Sequence, residues 1–414
     1  MDELTPMRQL VRRIVNETPV LDMHTHIYPP TFGPLLLWGV DELLTYHYLV
    51  AEVYRVAPLP YERFWAMSKT EQADHIWKHL FIERSPISEA CRGVLTVLQA
   101  LGLDTARQRD LTAARQYFNS TTAEKYVDTV FAKAKVKAAV MTNDPFDDLE
   151  RPAWLERRGF DGRFQAVLRI DPLLRGWEKA VPRLREWGYN VRGDLSPTDV
   201  DAVKRFLLDW IGRMRPRYMA VSLPPSFVFP EDSPRAKIIE HCIMSVGREA
   251  GLPFAMMIGA RLGVNPDLRL AGDGTGRADV ASVDALCQQF PQNRFFVTML
   301  SRENQHELCV STRKHPNLML FGCWWFLNNP TFIRDMTSQR MEMLGLSFVP
   351  QHSDARVLDQ LIYKWAHSRE IIADVLAEKY ADLARTGWPV NEAEIRRDVN
   401  NLLAENFDKF AAGA

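Results

Sequence analysis

The sequence predicts an α/β fold, a (β/α)8 TIM barrel with a helical insertion after strand 1. Eight short, β-rich apolar runs recur along the 414 residues, and amphipathic helical patterns separate most of them. The runs are near-continuous rather than alternating, as strands read when both faces of a parallel sheet are covered. The length exceeds one ordinary compact core and suits two domains or one large barrel with insertions. A doubly wound open sheet is the competing architecture, and no GxGxxG follows the first run to favour it.

Residues 1–27 hold an N-terminal helix and the first strand, "PVLDMH" (19–24). Residues 28–130 read as a helical insertion over the barrel mouth. They carry "WGVDELLTYHYLVAEVYRV", "RFWAMSKTEQADHIWKHLF", "SEACRGVLTVLQALG" and "AARQYFN" before the second strand begins. The rest of the barrel occupies 131–365, with strands "VKAAVMT" (136–142), "FQAVLRI" (164–170), "YMAVSL" (218–223), "PFAMMIG" (253–259), "RFFVTML" (294–300), "NLMLFGCW" (317–324) and "LSFVPQH" (346–352). Between them lie helical stretches such as "VDAVKRFLLDWIGRM" (200–214) and "RAKIIEHCIMSVGREAG" (235–251). The Gly-rich "AGDGTGR" (271–277) matches no phosphate loop and reads as a turn. Residues 366–414 read as C-terminal helices.

Composition narrows the function classes. The hydrophobic fraction of 46 % is that of a globular chain. A net charge of -1 gives no bulk electrostatic case for nucleic acid or an anionic membrane. No apolar stretch reaches spanning length, and the charged N-terminal residues lack a signal core. The cysteines (Cys91, Cys242, Cys287, Cys309, Cys323) are odd in number and form no CxxC pair. That pattern fits a soluble, cytoplasmic protein in a reducing compartment. The partner expected is a small molecule; association into a homo-oligomer is left open.

The first strand ends in "HTH". Alternate strand residues share a face, so His24 and His26 would point the same way, with Thr25 opposite. At the C-terminal end of a barrel strand, two neutral imidazoles make a divalent-metal site, for zinc first or manganese. The competing account is two unrelated loop histidines. "VPQHSDAR" places His352, Asp354 and Arg356 at alternating positions of an extended segment. Strands one and eight are neighbours in a closed barrel, so His24, His26 and Asp354 could meet and leave metal positions open. Asp354 equally suits a helix cap. His47, Tyr48, Trp324 and Trp325 carry no chemistry on their own pattern.

Together these pieces resemble the uronate (glucuronate) isomerase family of the metal-dependent amidohydrolase superfamily, over nearly the whole chain and in order. "LDMHTH" is similar to the family's strand-one HxH, and "YHYLVAE" to its His-Tyr segment. "TNDPFDDLE", "LRIDP", "MIGARLGVN", "LAGDGTG", "FGCWWF" and "SDAR" resemble further family stretches. The resemblance implies a metal-dependent aldose–ketose isomerase of hexuronates, converting D-glucuronate to D-fructuronate through an ene-diolate. It implies one divalent metal on His24, His26 and Asp354. It puts His47, Tyr48 and Arg356 at substrate-contacting or catalytic positions, Arg169 at a carboxylate-binding position, and Trp324 or Trp325 on the pocket wall.

The sequence departs from the family in two strands. Met257 stands where the family has an active-site histidine, and "SLPP" replaces an acid and a histidine with Leu223 and Pro224. The family arginine after that histidine is shifted, with Arg261 as its counterpart. His352 occupies an apolar family position and could restore an imidazole to the site; a solvated loop histidine is the alternative. Two further functions therefore stand beside the isomerase. One is a superfamily hydrolase, lyase or epimerase acting on another sugar acid or carboxylate. The other is a non-catalytic sugar-acid binder.

Overall fold

The computed structural model describes residues 4–107 and 109–413. Its strands are β1 (Val20–Thr25), β2 (Val136–Asn143), β3 (Phe164–Arg169), β4 (Met219–Leu223), β5 (Phe254–Ile258), β6 (Ala260–Arg261), β7 (Gly274–Thr275), β8 (Phe295–Met299) and β9 (Leu318–Leu320). Seven of them form one parallel sheet in the order β1-β2-β3-β4-β5-β8-β9. Helices alternate with the strands, so the fold is α/β with a curled parallel sheet, consistent with a TIM-like architecture.

The apolar runs predict the strands because both faces are buried. One face of the sheet looks into an inner core that contains Leu21, Met23, Val140, Val167, Ala220 and Met257. The other packs on the helices, with Val20, Met141, Leu168, Val221 and Leu223 in the outer core. Leu223 thus points away from the mouth, and Ser222 is the residue beside Arg169 there, at 3.3 Å. Met257 does face inward.

The eighth strand expected at 346–352 is not a regular strand. A single parallel bridge, Phe321 to Val349, is all the ladder it makes. Pro350 has no N–H to donate, and Gln351 accepts from the Cys323 N–H through its side chain at 2.7 Å. Backbone bonds still reach both sheet edges. Val349 N–H donates to Leu320 O at 3.0 Å, Asp354 N–H to His24 O at 3.2 Å, and His26 N–H to Ala355 O at 2.7 Å. The expected turn at 271–277 is also more than a turn: it ends a 3-10 helix (Pro266–Gly272) and supplies β7, antiparallel to β6.

Between β1 and β2 the chain is helical, including His47–Val56, Lys69–Trp77 and Glu89–Ala100. Ser68 closes a capping box with Glu71, which fixes where Lys69–Trp77 begins. Gly93 lets the Glu89–Ala100 helix press on the Gln360–Arg385 helix: a Cβ there would lie 2.6 Å from the Tyr363 ring. The last elements fill the end of the inner core opposite the histidines. Phe407 and Ala411 pack with Tyr218 and Phe296, just before and within β4 and β8. Arg217 pairs with Asp408 at 2.6 Å. No helix among the described residues is long and apolar enough to cross a membrane.

Candidate active site

At the carboxyl ends of the strands the structure brings His24, His26 and Asp354 together. Simple alternation does not achieve this. Asp22 pairs with Ala139 and Thr25 with Met141, so β1 spends three steps where β2 spends two. This bulge breaks the period of two. Asp22 turns outward to Trp365, yet His24 lies beside Phe321 and His352 of the interior.

The ring orientations are set from behind. Thr142 Oγ1 lies 2.7 Å from His26 Nδ1. Tyr218 O–H donates to Met23 O at 2.6 Å and sits 3.4 Å from His24 Nδ1. Both Nε2 atoms therefore face Asp354 Oδ1, at 3.5 Å from His24 and 3.3 Å from His26. Asp354 is held in the left-handed region at φ 53°, so the extended conformation expected across 352–356 ends before it. The helix that follows starts at Gln360, so Asp354 is no helix cap.

These three groups fit a metal. Their ligand atoms lie within 4.8 Å of one another. Ligands about 2.1 Å from a tetrahedral ion stand about 3.4 Å apart, close to the separations found. Among the described residues, His24 Nε2 and Asp354 Oδ1 are buried without a hydrogen-bond partner, a costly arrangement for groups with nothing to bind. Burial, then the Arg356 charge, pushes His26 well below the ordinary histidine range. Burial acts to raise Asp354, but the two histidines hold its carboxyl well below the carboxylate range. Neutral imidazole and ionised carboxylate are the ligand forms.

A cavity of about 420 Å³ opens beside this group, lined in part by His26, Tyr46, His47, Arg356, Lys69 and Arg269. His47 begins the His47–Val56 helix, and neither ring nitrogen has a partner among the described residues. Burial, with Arg356 adding to it, pushes it down to about 3. Tyr48 packs edge-on to His47 at 4.5 Å. Trp325 lies 5.8 Å from His47, held at φ 50°, and Trp324 is buried in the inner core.

Of the expected arginines, Arg169 is committed: Nε and Nη2 grip Asp171 at 2.8 and 3.1 Å. Burial acts to lower its pKa, and Asp171 overrides that and raises it. Arg356 has no carboxylate partner among the described residues and lines the cavity. Arg261 lies exposed on β6 and does not line it. His352 is fully buried, 5.1 Å from the His24 ring, and does not line it either. A wider cleft of about 560 Å³ elsewhere collects Arg157, Arg158, Arg213 and Arg215. They stand at or beside two helix C-termini, where cations offset the helix dipole.

Gly322 makes room for His352. It has φ 60°, and a Cβ would fall 1.7 Å from His352 Nδ1. Gly322→Ala is expected to cost about 2–4 kcal/mol in urea unfolding, from backbone strain plus overpacking. An unchanged midpoint would contradict this packing.

The pattern of HxH and DxR marks the metal-competent group. Asp22 was missed as a support. It accepts the Ser353 N–H at 3.1 Å and Trp365 Nε1–H at 2.8 Å, and its only sequence signal is an acid inside an apolar strand.

Fold and site define an α/β protein with a metal-competent histidine–aspartate centre at the carboxyl ends of a parallel sheet. No family model and no curated protein sequence matches the chain. Solved structures do. A uronate isomerase from Bacillus halodurans C-125 is 57% identical over 99% of this chain and 97% of its own, with a TM-score of 0.98. A uronate isomerase from Thermotoga maritima (16% identity, 97% of each chain, TM-score 0.79) shares the fold. So does a glucuronate isomerase from Caulobacter crescentus (16% identity, 100% of this chain and 95% of that one, TM-score 0.81). The chain belongs to the uronate isomerase family.

Proposed function

We propose that this protein is a metal-dependent isomerase of hexuronates, of the D-glucuronate to D-fructuronate type. The observation that carries the reading is the unpaired Arg356 guanidinium lining one cavity with His26 and His47, beside the His24–His26–Asp354 group. A sugar acid brings a carboxylate, which a planar guanidinium grips through two parallel hydrogen bonds. Arg356 takes that role ahead of Arg169, whose donors are largely spent on Asp171.

In this reading His24, His26 and Asp354 hold one divalent ion, zinc first and manganese second, from their nitrogen and oxygen donors. Such an ion, when bound, supplies a Lewis acid for the oxyanion of an ene-diolate. The chain's own residues do the rest. His47, neutral because it is buried, takes the C2 proton and returns it at C1, while the O2 hydroxyl proton passes to O1, so that C1 ends as the alcohol and C2 as the carbonyl. Tyr48, its phenol pushed well above the usual range by burial and then by Tyr46, stays protonated and braces the His47 ring edge-on from outside the cavity lining. Trp325 backs the His47 ring from behind, and His352 supports the His24 ring. We read the segment around Val349 as the eighth strand of a (β/α)8 barrel and residues 28–130 as its helical cover. The five free, buried cysteines favour a cytoplasmic setting.

The test is proton NMR of D-glucuronate in D2O with metal-replete protein. Ketose carrying deuterium at the exchanged carbon is expected. Neither conversion nor exchange with any hexuronate would reject the isomerase in favour of another carboxylate substrate or a binder.

The neutral His47 also makes a stability prediction. Its folded pKa of about 3 lies below the unfolded value, so its contribution is complete above pH 6.5 and falls away as the pH drops toward 3. From pH 7.5 to 5.5 the wild type should lose about 1.4 kcal/mol more than His47→Gln in paired urea titrations. Equal losses would refute the assignment.

A further inference from the structure

Behind His47 and Tyr48 lies a buried ammonium with no part in the chemistry above. Lys364 stands in the second turn of the Gln360–Arg385 helix and is 4 % exposed. A buried lysine charge is costly unless it is paired and hydrogen-bonded. Its Nζ donates to Glu89 Oε1 at 2.9 Å and to the Asn328 carbonyl at 3.1 Å. It also stands 5.0 and 5.5 Å from the ring centroids of Tyr363 and Tyr48.

These contacts join three separate walls. Glu89 begins the Glu89–Ala100 helix, Asn328 follows the turn that carries Trp324 and Trp325, and Tyr48 sits on the helix that His47 begins. Gly93, one turn after Glu89, permits the close approach through its bare face against Tyr363. Glu52, on the Tyr48 helix, accepts from Ser88 Oγ at 2.7 Å and ties that helix to the same junction. One turn before Lys364, Gln360 accepts the backbone N–H groups of Arg356 and Val357 at 2.8 and 3.0 Å. One helix face thus holds both the Arg356 segment and the Tyr48 ring.

We propose that Lys364 is a positioning residue for the isomerisation, its ammonium aimed by Glu89 and Asn328 so that the Tyr48 ring and the tryptophan turn stay in register with Arg356. The proposal rests on the hexuronate isomerase reading. A cation beside an aromatic ring in a desolvated place is attracted to it. Directed hydrogen bonds fix that cation in a way an apolar chain of similar length cannot. Misplacing a reacting group costs turnover more than binding.

The experiment compares kcat, KM, metal content and melting temperature for the wild type, Lys364→Met and Lys364→Met/Glu89→Leu, with D-glucuronate or another hexuronate that the wild type converts. The single variant leaves Glu89 half-buried and unpaired, so its melting temperature falls. The double variant replaces the pair by apolar groups and recovers it. In both, kcat drops about 10- to 100-fold while KM and metal content stay within about threefold of wild type. A double variant whose kcat returns with its melting temperature overturns the proposal, because packing then accounts for the pair. So does a single variant within about twofold of wild-type kcat. If the single variant does not fold, the double variant alone decides. A wild type that turns over no hexuronate rejects the isomerase reading itself and takes the positioning role with it; that result is read before any variant is made.

Discussion

Asp354→Asn is expected to strip the protein of its metal and to lower hexuronate turnover on the order of a thousandfold. The substitution is a clean one. Asparagine matches aspartate in size and tolerates the left-handed conformation that residue 354 adopts at φ 53°. The backbone N–H bond to His24 O at 3.2 Å survives, so the fold should persist. What goes is the charge that faces both histidines. The ligand set would change from two imidazoles and a carboxylate to two imidazoles and a neutral amide, a far weaker oxygen donor for a divalent ion. Metal analysis after dialysis, with the ketose assay beside it, checks both halves. Wild-type metal content in Asp354→Asn would remove this residue from the ligand set.

Asp22→Ala is expected to cost about 3–5 kcal/mol and to weaken metal binding about 10- to 100-fold. Asp22 is fully buried and faces away from the site. Its carboxylate accepts the Ser353 N–H at 3.1 and 3.3 Å and Trp365 Nε1–H at 2.8 Å. It therefore fastens the residue before Asp354 to the strand that bears His24, across the gap where no regular ladder runs. Alanine would leave three buried donors, the N–H groups of Ser353 and His24 and Trp365 Nε1–H, without this acceptor and free one ligand relative to the others. Asp22→Asn keeps one acceptor and should lose less. Urea unfolding and metal titration of the two variants give the comparison; a stable Asp22→Ala with native metal affinity would deny the clamp.

Legibility in the sequence followed burial on both faces. Strands such as "FQAVLRI" and "RFFVTML" are apolar throughout because core lies on either side, and their positions were readable. The closing segment at 346–355 was harder. It is joined by side chains, among them Gln351 to the Cys323 N–H and Asp22 to the Ser353 N–H, and no periodicity encodes those. His24, His26 and Asp354 were legible as a set, but the expected route was wrong. A bulge, not alternation, turns His24 inward, and Asp354 reaches its neighbours from a left-handed residue rather than an extended one. Leu223, read as replacing a family acid, lies in the outer core, and Ser222 has the inward parity there. Lys364 was invisible for another reason. In "DQLIYKWAHSRE" a buried lysine reads like any solvated helix residue until its partner, 275 positions away in the chain, is in place.

The helical stopper at the floor of the sheet sets an order on folding during synthesis. Phe407 and Ala411 complete the inner core, yet they are made after every strand that surrounds them. A ribosome that has delivered all the strands has therefore produced an open-bottomed sheet whose Tyr218 and Phe296 still face water. Apolar surface of that kind is what chaperones hold and what aggregates. Native packing can begin early on the outer layers, but the interior, and with it the rigid ends of the strands that carry His24 and Arg169, waits for a segment that follows every strand it closes.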